Sequence, residues 1–80
     1  MSILSERILL LRKERGLNQE QIAEQTGIGY RSYRRYESGE REPSASTLTV
    51  LADFFGVSAD YLLGLTDEPR PLFPENEQRK

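Results

Sequence analysis

The sequence predicts an all-α fold of five short helices. Three observations predict it. Apolar residues recur at helical spacing, five of the segments they define end in glycine, and no run of alternating β-branched residues indicates a strand. A chain of 80 residues is long enough for one domain and too short for two. We therefore expect a single helical domain, with two of its helices joined by a tight glycine turn near the centre of the chain.

The first predicted helix runs from about Ile3 or Ser5 to Arg15, and Gly16 ends it. Three of its apolar residues have the spacing of one helical face. They are Leu4, Ile8 and Leu11.

The second predicted helix opens at Asn18, a good N-cap residue, with Gln21 in the capping-box position three residues later. It buries Ile22 and Ala23, and Gly27 ends it after about two turns.

The third predicted helix runs from about Gly29 to Tyr36 or Ser38, and Gly39 ends it. The 100° step between helical residues places three side chains on one inward side. They are Tyr33, Tyr36 and Glu37. Arg31 and Arg35 then fall on nearly the opposite side, four residues apart on one outward stripe. Arg34 lies on the flank, and Tyr30 projects from the first turn.

The fourth predicted helix follows a loop over residues 40–44 that contains Pro43. It begins at about Ser46 or Thr47, ends at Phe55 and is closed by Gly56. Four of its residues are expected to face the core: Leu48, Leu51, Ala52 and Phe55.

The fifth predicted helix begins at Ser58 as N-cap and ends at Gly64. It carries three large apolar side chains, Tyr61, Leu62 and Leu63. We expect the folded domain to span residues 1–66. Residues 67–80 hold three prolines and many charges, which predicts an extended or disordered tail.

The composition excludes most enzyme chemistry. The chain has no Cys and no His, which removes disulfides, thiolate nucleophiles, imidazole bases and nearly all structural zinc sites. Its 13 acidic residues show no pair spaced as a catalytic acid and base, and no glycine-rich phosphate loop is present. We therefore expect no enzyme activity, no cofactor and no metal site. No membrane span or signal peptide is apparent either, which predicts a cytoplasmic protein with no membrane partner.

The charge distribution is uneven although the net charge is only -2. Residues 29–41 carry a net charge of +2, whereas residues 67–80 carry -1. Nucleic-acid binders neutralise phosphates with a local concentration of Lys and Arg. This pattern fits a sequence-specific binder with modest non-specific affinity, and not a protein that coats nucleic acid without regard to sequence.

Three separated blocks match one known family. They are LRKERGLNQEQIA in the first two helices, YESG followed by Pro43 at the end of the third, and TLTVLADFFGVSADYLLG in the last two. Residues 8–63, about 70% of the chain, resemble the helix-turn-helix domain of phage lambda-type repressors and Cro proteins, the XRE-like regulators. The resemblance implies a repressor-like five-helix domain that regulates transcription by placing its third helix in the major groove of double-stranded DNA.

The resemblance also assigns residues to DNA. Base edges would be contacted by Tyr30, Arg31 and Arg35. The DNA backbone would be contacted by Asn18, Gln19, Ser32, Arg34 and Arg41. Arginine suits base reading because its guanidinium donates two hydrogen bonds to guanine O6 and N7, so a guanine-containing half-site is expected. The alternatives are that Asn18 only caps its helix and that the arginines form a solvated face.

A structural ion pair is also implied by the resemblance. It joins Arg12 of the first helix to Glu37 of the third, and the inward position of Glu37 agrees with it. Such a pair would orient the reading helix without reading bases itself. The alternative is two independently solvated charges.

The chain departs from the family pattern at several positions. Gly29 replaces the usual Ser or Thr cap of the third helix. Tyr33 stands where Ile or Val is common, and it needs more space and a partner for its hydroxyl. Glu40 and Glu42 lie in a loop that is usually basic, which leaves Arg41 as its phosphate candidate. We therefore expect weaker backbone affinity than is typical of the family.

Related domains bind paired half-sites as dimers, with half-sites about 34–36 Å apart. A homodimer is therefore expected, and the candidate dimer residues are Leu62, Leu65, Leu72 and Phe73. Alternatively, the tail packs on its own domain or stays loose. An alternative function is an antitoxin-like or anti-repressor module whose tail binds a partner protein.

Overall fold

Five helices form within residues 2–71, which are the residues that the computed structural model describes. They are α1 (Ile3–Glu14), α2 (Gln19–Thr26), α3 (Tyr30–Ser38), α4 (Ala45–Phe55) and α5 (Ala59–Leu63). No strand occurs among these residues, and the predicted all-α fold of five helices is confirmed. No helix in this part of the chain has the length and apolar character needed to cross a membrane.

The helix ends follow the capping residues. The side chains of Ser2, Asn18, Ser44 and Ser58 each accept a hydrogen bond from the backbone N–H three residues later. Asn18 and Gln21 form the predicted capping box, whereas Gly29 leaves α3 without a side-chain cap. These caps satisfy backbone donors that a helix start would otherwise leave unpaired.

The fourth helix begins earlier than predicted. The predicted start at Ser46 or Thr47 is wrong by one or two residues, because the hydroxyl of Ser44 accepts from the N–H of Thr47 and makes Ala45 the first helical residue. Three hydroxyl residues lie within four positions here, and each is a good N-cap. Periodicity alone did not distinguish them.

The core lies between all five helices. Its buried residues are Leu4, Ile8, Ile22, Tyr33, Tyr36, Leu51, Ala52, Phe55, Val57 and Leu62. Helix α3 packs against α1 and α2, while α5 packs against α1 and α4. The predicted inward face of α3 is confirmed, since Tyr33, Tyr36 and Glu37 are all buried. Ser5 is also buried, and its hydroxyl donates to the carbonyl of Ser2 at 2.9 Å.

The chain after α5 folds back along that helix. The carbonyl of Pro69 accepts a hydrogen bond from the N–H of Ser58 at 2.9 Å. The guanidinium of Arg7 donates to the carboxylate of Asp67 at 2.9 Å, and it also lies over the ring of Tyr61. These contacts attach the first residues of the predicted tail to the domain, beyond the predicted boundary at residue 66. Residues 72–80 lie outside the described residues.

Candidate nucleic-acid interface

Helices α2 and α3 are joined by a three-residue turn. Gly27 ends α2 with a φ of 77°, a left-handed conformation that glycine adopts without steric cost. The hydroxyl of Thr26 donates to the carbonyl of Ile22 at 2.7 Å and accepts from the N–H of Ile28 at 3.3 Å. The turn therefore sets α3 against α2 with one face buried and the other open to solvent.

The open face of α3 is strongly basic. Arg31, Arg34 and Arg35 are all exposed, and the three line one open cleft together with Ser38 and Glu40. None of these arginines forms an ion pair within residues 2–71. The exposure of Arg31 and Arg35 confirms the outward position that the helical rotation predicted for them.

Tyr30 stands at the start of this face with 42% of its surface exposed. The guanidinium of Arg34 lies 5.6 Å from the centre of the Tyr30 ring. Such a cation–π contact is worth about 0.5–1 kcal/mol at an exposed site. It restrains Arg34 toward the first turn of α3, on the same side of the helix as Tyr30.

The residues predicted to contact the DNA backbone differ in their exposure and in their hydrogen bonds. The side-chain oxygen of Asn18 accepts a hydrogen bond from the N–H of Gln21 at 2.8 Å, so Asn18 caps α2. Gln19 is half-buried, and its amide donates to Glu37 at 2.9 Å. Ser32 is half-buried beside the α2–α3 turn. Arg41 is exposed.

The ion pair implied by the family resemblance is present. The Nε and Nη2 atoms of Arg12 donate to Oε2 and Oε1 of Glu37 at 2.8 and 2.9 Å, the parallel geometry that makes such pairs strong. Only 14% of the Arg12 side chain and 5% of the Glu37 side chain are exposed. The remaining Nη1 of Arg12 donates to the carbonyl of Leu17 at 2.8 Å. Arg12 therefore joins α1 to both α3 and the loop before α2.

Glu37 accepts two further hydrogen bonds, which favour its ionised form. Burial alone would raise the pKa of this carboxyl, but hydrogen bonds from Arg12, Tyr33 and Gln19 outweigh it and hold the pKa below its usual range. The hydrogen bond to Glu37 raises the pKa of Arg12. Burial, followed by the hydrogen bond to Glu37, raises the pKa of Tyr33. The carboxylate is thus charged and fully partnered at neutral pH.

The bonds from Tyr33 and Gln19 to Glu37 were not predicted from the sequence. The hydroxyl of Tyr33 donates to Oε2 of Glu37 at 2.6 Å, which supplies the partner that a tyrosine at this position needs. The four-residue spacing of the two on one helix was the available signal. The bond from Gln19 had no such signal, because its 18-residue separation from Glu37 is bridged only by the packing of α2 on α3.

The dimer candidates divide into three groups. Leu62 is completely buried in the core, so its prediction as a dimer residue was wrong. The cause is the short α5, which turns Leu62 toward α1 and α4. Leu65 is 73% exposed. Leu72 and Phe73 lie outside the described residues.

Leu65 belongs to a small apolar patch on the surface. Ile3 and Leu63 are also about half exposed. The side chain of Ile3 approaches Gly64 so closely that a Cβ there would lie 2.9 Å from its Cδ1. Ile3 therefore lies beside Gly64 at the end of α5, and Gly64 is the residue between the two leucines in the sequence. We call Ile3, Leu63 and Leu65 the α1–α5 patch.

Comparison with known proteins identifies a matching family model and relatives of similar sequence. Residues 8–62, more than two thirds of the chain, match the family model described as helix-turn-helix. The HTH-type transcriptional regulator YobD of Bacillus subtilis (strain 168) is 46% identical over 66 residues, which cover 82% of this chain and 59% of YobD. The cryptic phage CTXphi transcriptional repressor RstR of Vibrio cholerae is 44% identical over 55 residues, covering 69% of this chain and 50% of RstR.

A solved structure agrees with these matches. The crystal structure of a transcriptional regulator from Listeria innocua superposes with a TM-score of 0.71 at 32% identity, covering 95% of this chain and 68% of that chain. This chain spans about half to three fifths of the length of the two named relatives. The matches confirm the resemblance drawn from the sequence. They favour a transcriptional regulator over an enzyme and over the interaction module considered as an alternative.

Proposed function

Because this chain belongs to the helix-turn-helix family, we propose that it is a transcriptional regulator that binds double-stranded DNA sequence-specifically. We propose further that it acts as a repressor. The observation that carries the proposal is the exposed basic face of α3, on which Arg31, Arg34 and Arg35 have no ion-pair partner within residues 2–71. The opposite face of the same helix is locked to α1 by the Arg12–Glu37 pair. A rigid helix with a free cationic face is what major-groove reading requires. We expect the protein to act in the cytoplasm, where its DNA ligand would be.

The proposal assigns reading and anchoring to different side chains. Arg31 and Arg35 lie four residues apart on the outward stripe and would donate to guanine edges, with Tyr30 meeting bases from the first turn. Arg34 is held toward Tyr30 at the edge of the stripe and would contact phosphate. The remaining phosphate contacts would come from Asn18, Gln19, Ser32 and Arg41. Asn18 retains an amide nitrogen for this role while its oxygen caps α2.

Selection of bound sequences from random duplex DNA tests the proposal. We expect the wild type to enrich a guanine-containing site. Arg31→Ala and Arg35→Ala should each weaken binding to that site by about 1–3 kcal/mol and relax the preference at one base pair. Lys13→Ala, which removes an exposed cation from α1, should change neither property.

Two results would contradict these assignments. Unchanged preference in both arginine variants would remove them from the list of base contacts. Uniform weakening across all sequences would make them phosphate contacts instead.

The proposal includes a homodimer on paired half-sites. A single protomer presents one reading helix, which spans too few base pairs to select a site in a genome. The α1–α5 patch is the candidate interface because its three apolar side chains are about half exposed or more, and because Ile3 lies against Gly64, the residue between the two leucines. The patch retains Leu65 from the sequence prediction and replaces Leu62 by Ile3 and Leu63.

Leu65→Asp is expected to shift the protein from dimer to monomer, because a charge would be desolvated at the interface. Sedimentation velocity over a range of protein concentrations measures the shift. Val50→Asp is the matched control, since Val50 is exposed on α4 and lines the cleft beside the α2–α3 turn. A Leu65→Asp variant that dimerises like the wild type would show that the interface lies elsewhere.

A further inference from the structure

Tyr33 is an unusual residue for the centre of this core. It is completely buried on α3, at a position that an aliphatic side chain would fill without any polar group. Its hydroxyl donates to Oε2 of Glu37 at 2.6 Å, and this bond is buried. A buried hydroxyl costs free energy unless it is paired, so its presence calls for a role beyond filling space.

The hydroxyl completes a four-donor arrangement around the Glu37 carboxylate. Oxygen Oε2 accepts from the Tyr33 hydroxyl and from Nε of Arg12. Oxygen Oε1 accepts from Nη2 of Arg12 and from the side-chain amide of Gln19. Each oxygen therefore has two donors, and these come from α1, α2 and α3. The carboxylate is fixed in both position and rotation.

Gln19 is the member of this arrangement that the proposed function assigns to the DNA backbone. It is the first residue of α2 and follows the capping residue Asn18. Its amide nitrogen carries two hydrogens, of which one is donated to Glu37. The second remains for an external acceptor such as a phosphate oxygen. Glu37 thus determines where this amide is held relative to α3.

We propose that Tyr33 is a positioning residue for DNA binding, which acts through Glu37 to hold the Gln19 amide against a backbone phosphate. The consequence is that one phosphate contact and the reading arginines of α3 keep a fixed relative position. The inference rests on the proposed function and deepens it. It assigns the hydroxyl of Tyr33 a role that the family's usual Ile or Val cannot perform.

The test combines variants of the protein with a chemical change in the DNA. Single phosphates of the selected duplex are replaced by neutral methylphosphonates, and binding is measured where every variant is folded. In the wild type, one replacement near the start of α2 should weaken binding about 10- to 150-fold, the range expected for one hydrogen bond to a charged acceptor. The same replacement should have a much smaller effect on Gln19→Ala. That result would identify the phosphate that Gln19 contacts.

Tyr33→Phe keeps the ring and removes only the hydroxyl. We expect it to lose most of the sensitivity at the Gln19 phosphate while sensitivity at other phosphates is retained. The double variant Tyr33→Phe/Gln19→Ala should bind no more weakly than Gln19→Ala alone, because both changes remove the same contact. Val57→Ala, which loses core packing between α4 and α5, is the control for reduced stability and should keep full sensitivity.

Two outcomes would overturn the inference. One is a Tyr33→Phe variant with full sensitivity at the Gln19 phosphate, which would leave Tyr33 a purely structural role. The other is a scan in which no phosphate depends on Gln19. Both can occur while the wild type still selects a DNA site. Failure of the proposed function is a different result, namely a wild type that selects no duplex.

Discussion

Binding to the selected duplex is expected to weaken by about a thousandfold or more between about 50 and 200 mM salt. Neutralising phosphates releases condensed counterions, so the affinity falls with salt at a logarithmic slope of about -0.9 for each phosphate contacted. A dimer that makes about 6–10 such contacts loses about 10³–10⁵ in affinity over this range. Each protomer presents two exposed arginines for phosphate contact, Arg34 and Arg41, and the base-reading Arg31 and Arg35 add positive charge beside them.

The variant Arg41→Ala tests whether the α3–α4 loop contributes a phosphate contact. Arg41 is exposed between two exposed acidic residues, Glu40 and Glu42, and is the cation that the α3–α4 loop offers to phosphate. Its loss should reduce the magnitude of the slope by about 1 for each bound protomer, and therefore by about 2 if a dimer occupies paired half-sites. The variant thus reports the number of protomers on the DNA.

Fluorescence anisotropy titrations at several salt concentrations give both slopes. Lys13→Ala serves as the control, because it removes an exposed positive charge from α1 and should leave the slope unchanged. A flat response of the wild type would contradict phosphate-dominated binding. An unchanged slope in Arg41→Ala would show that the loop makes no phosphate contact.

Arg12→Ala is expected to have the largest effect on stability, lowering the free energy of unfolding by about 3–5 kcal/mol. The substitution leaves the carboxylate of Glu37 buried with only its neutral donors, Tyr33 and Gln19. It also removes the donor to the carbonyl of Leu17. Small domains have a total stability of about 5–15 kcal/mol, so much of the variant population would be unfolded in the less stable case.

The pH dependence distinguishes this mechanism from lost packing. In the wild type the pKa of Glu37 is lowered, so the pair contributes stability above the ordinary carboxyl pKa of 4.5 and loses it as the pH falls through the lowered value. Arg12→Ala removes the main cause of that lowering. The stability difference between wild type and variant should therefore narrow below about pH 4.5.

Urea denaturation at pH 7 and at pH 4 or below measures both stabilities. Lys13→Ala, the next residue of α1, should cost less than about 0.5 kcal/mol at either pH because its side chain is exposed. A stability loss in Arg12→Ala that stayed constant with pH would assign the effect to the packing of the arginine stem.

The predictions that the structure confirms concern features that are local in sequence. Asn18, Gln21 and the helix-ending glycines act within three or four residues, and each helix formed where they indicated. The inward face of α3 followed from the rotation between residues in the same way, because burial of Tyr33 and Tyr36 repeats with the helical period. The start of α4 was the exception, since three hydroxyl residues offered equivalent caps there.

The interactions that the sequence did not predict join distant parts of the chain. Whether Leu62 or Leu65 faces solvent depends on how α5 meets α1 and α4, and the packed helices buried Leu62. The attachment of the segment after α5 depends on Arg7, which is 60 residues from its partner Asp67. Neither relation has a signature in residue spacing, because loop geometry and packing determine which distant side chains meet.

The sequence by itself determined that this chain forms five helices, that it resembles repressor-like regulators, and that Arg31 and Arg35 face outward opposite Tyr33 and Glu37. Propensity, capping and helical rotation act over one or two turns, so the residues alone carry that information. Only the tertiary structure decided that Tyr33 and Gln19 both donate to the carboxylate that Arg12 holds. The helices must first pack before three separate segments can supply four donors to one buried charge.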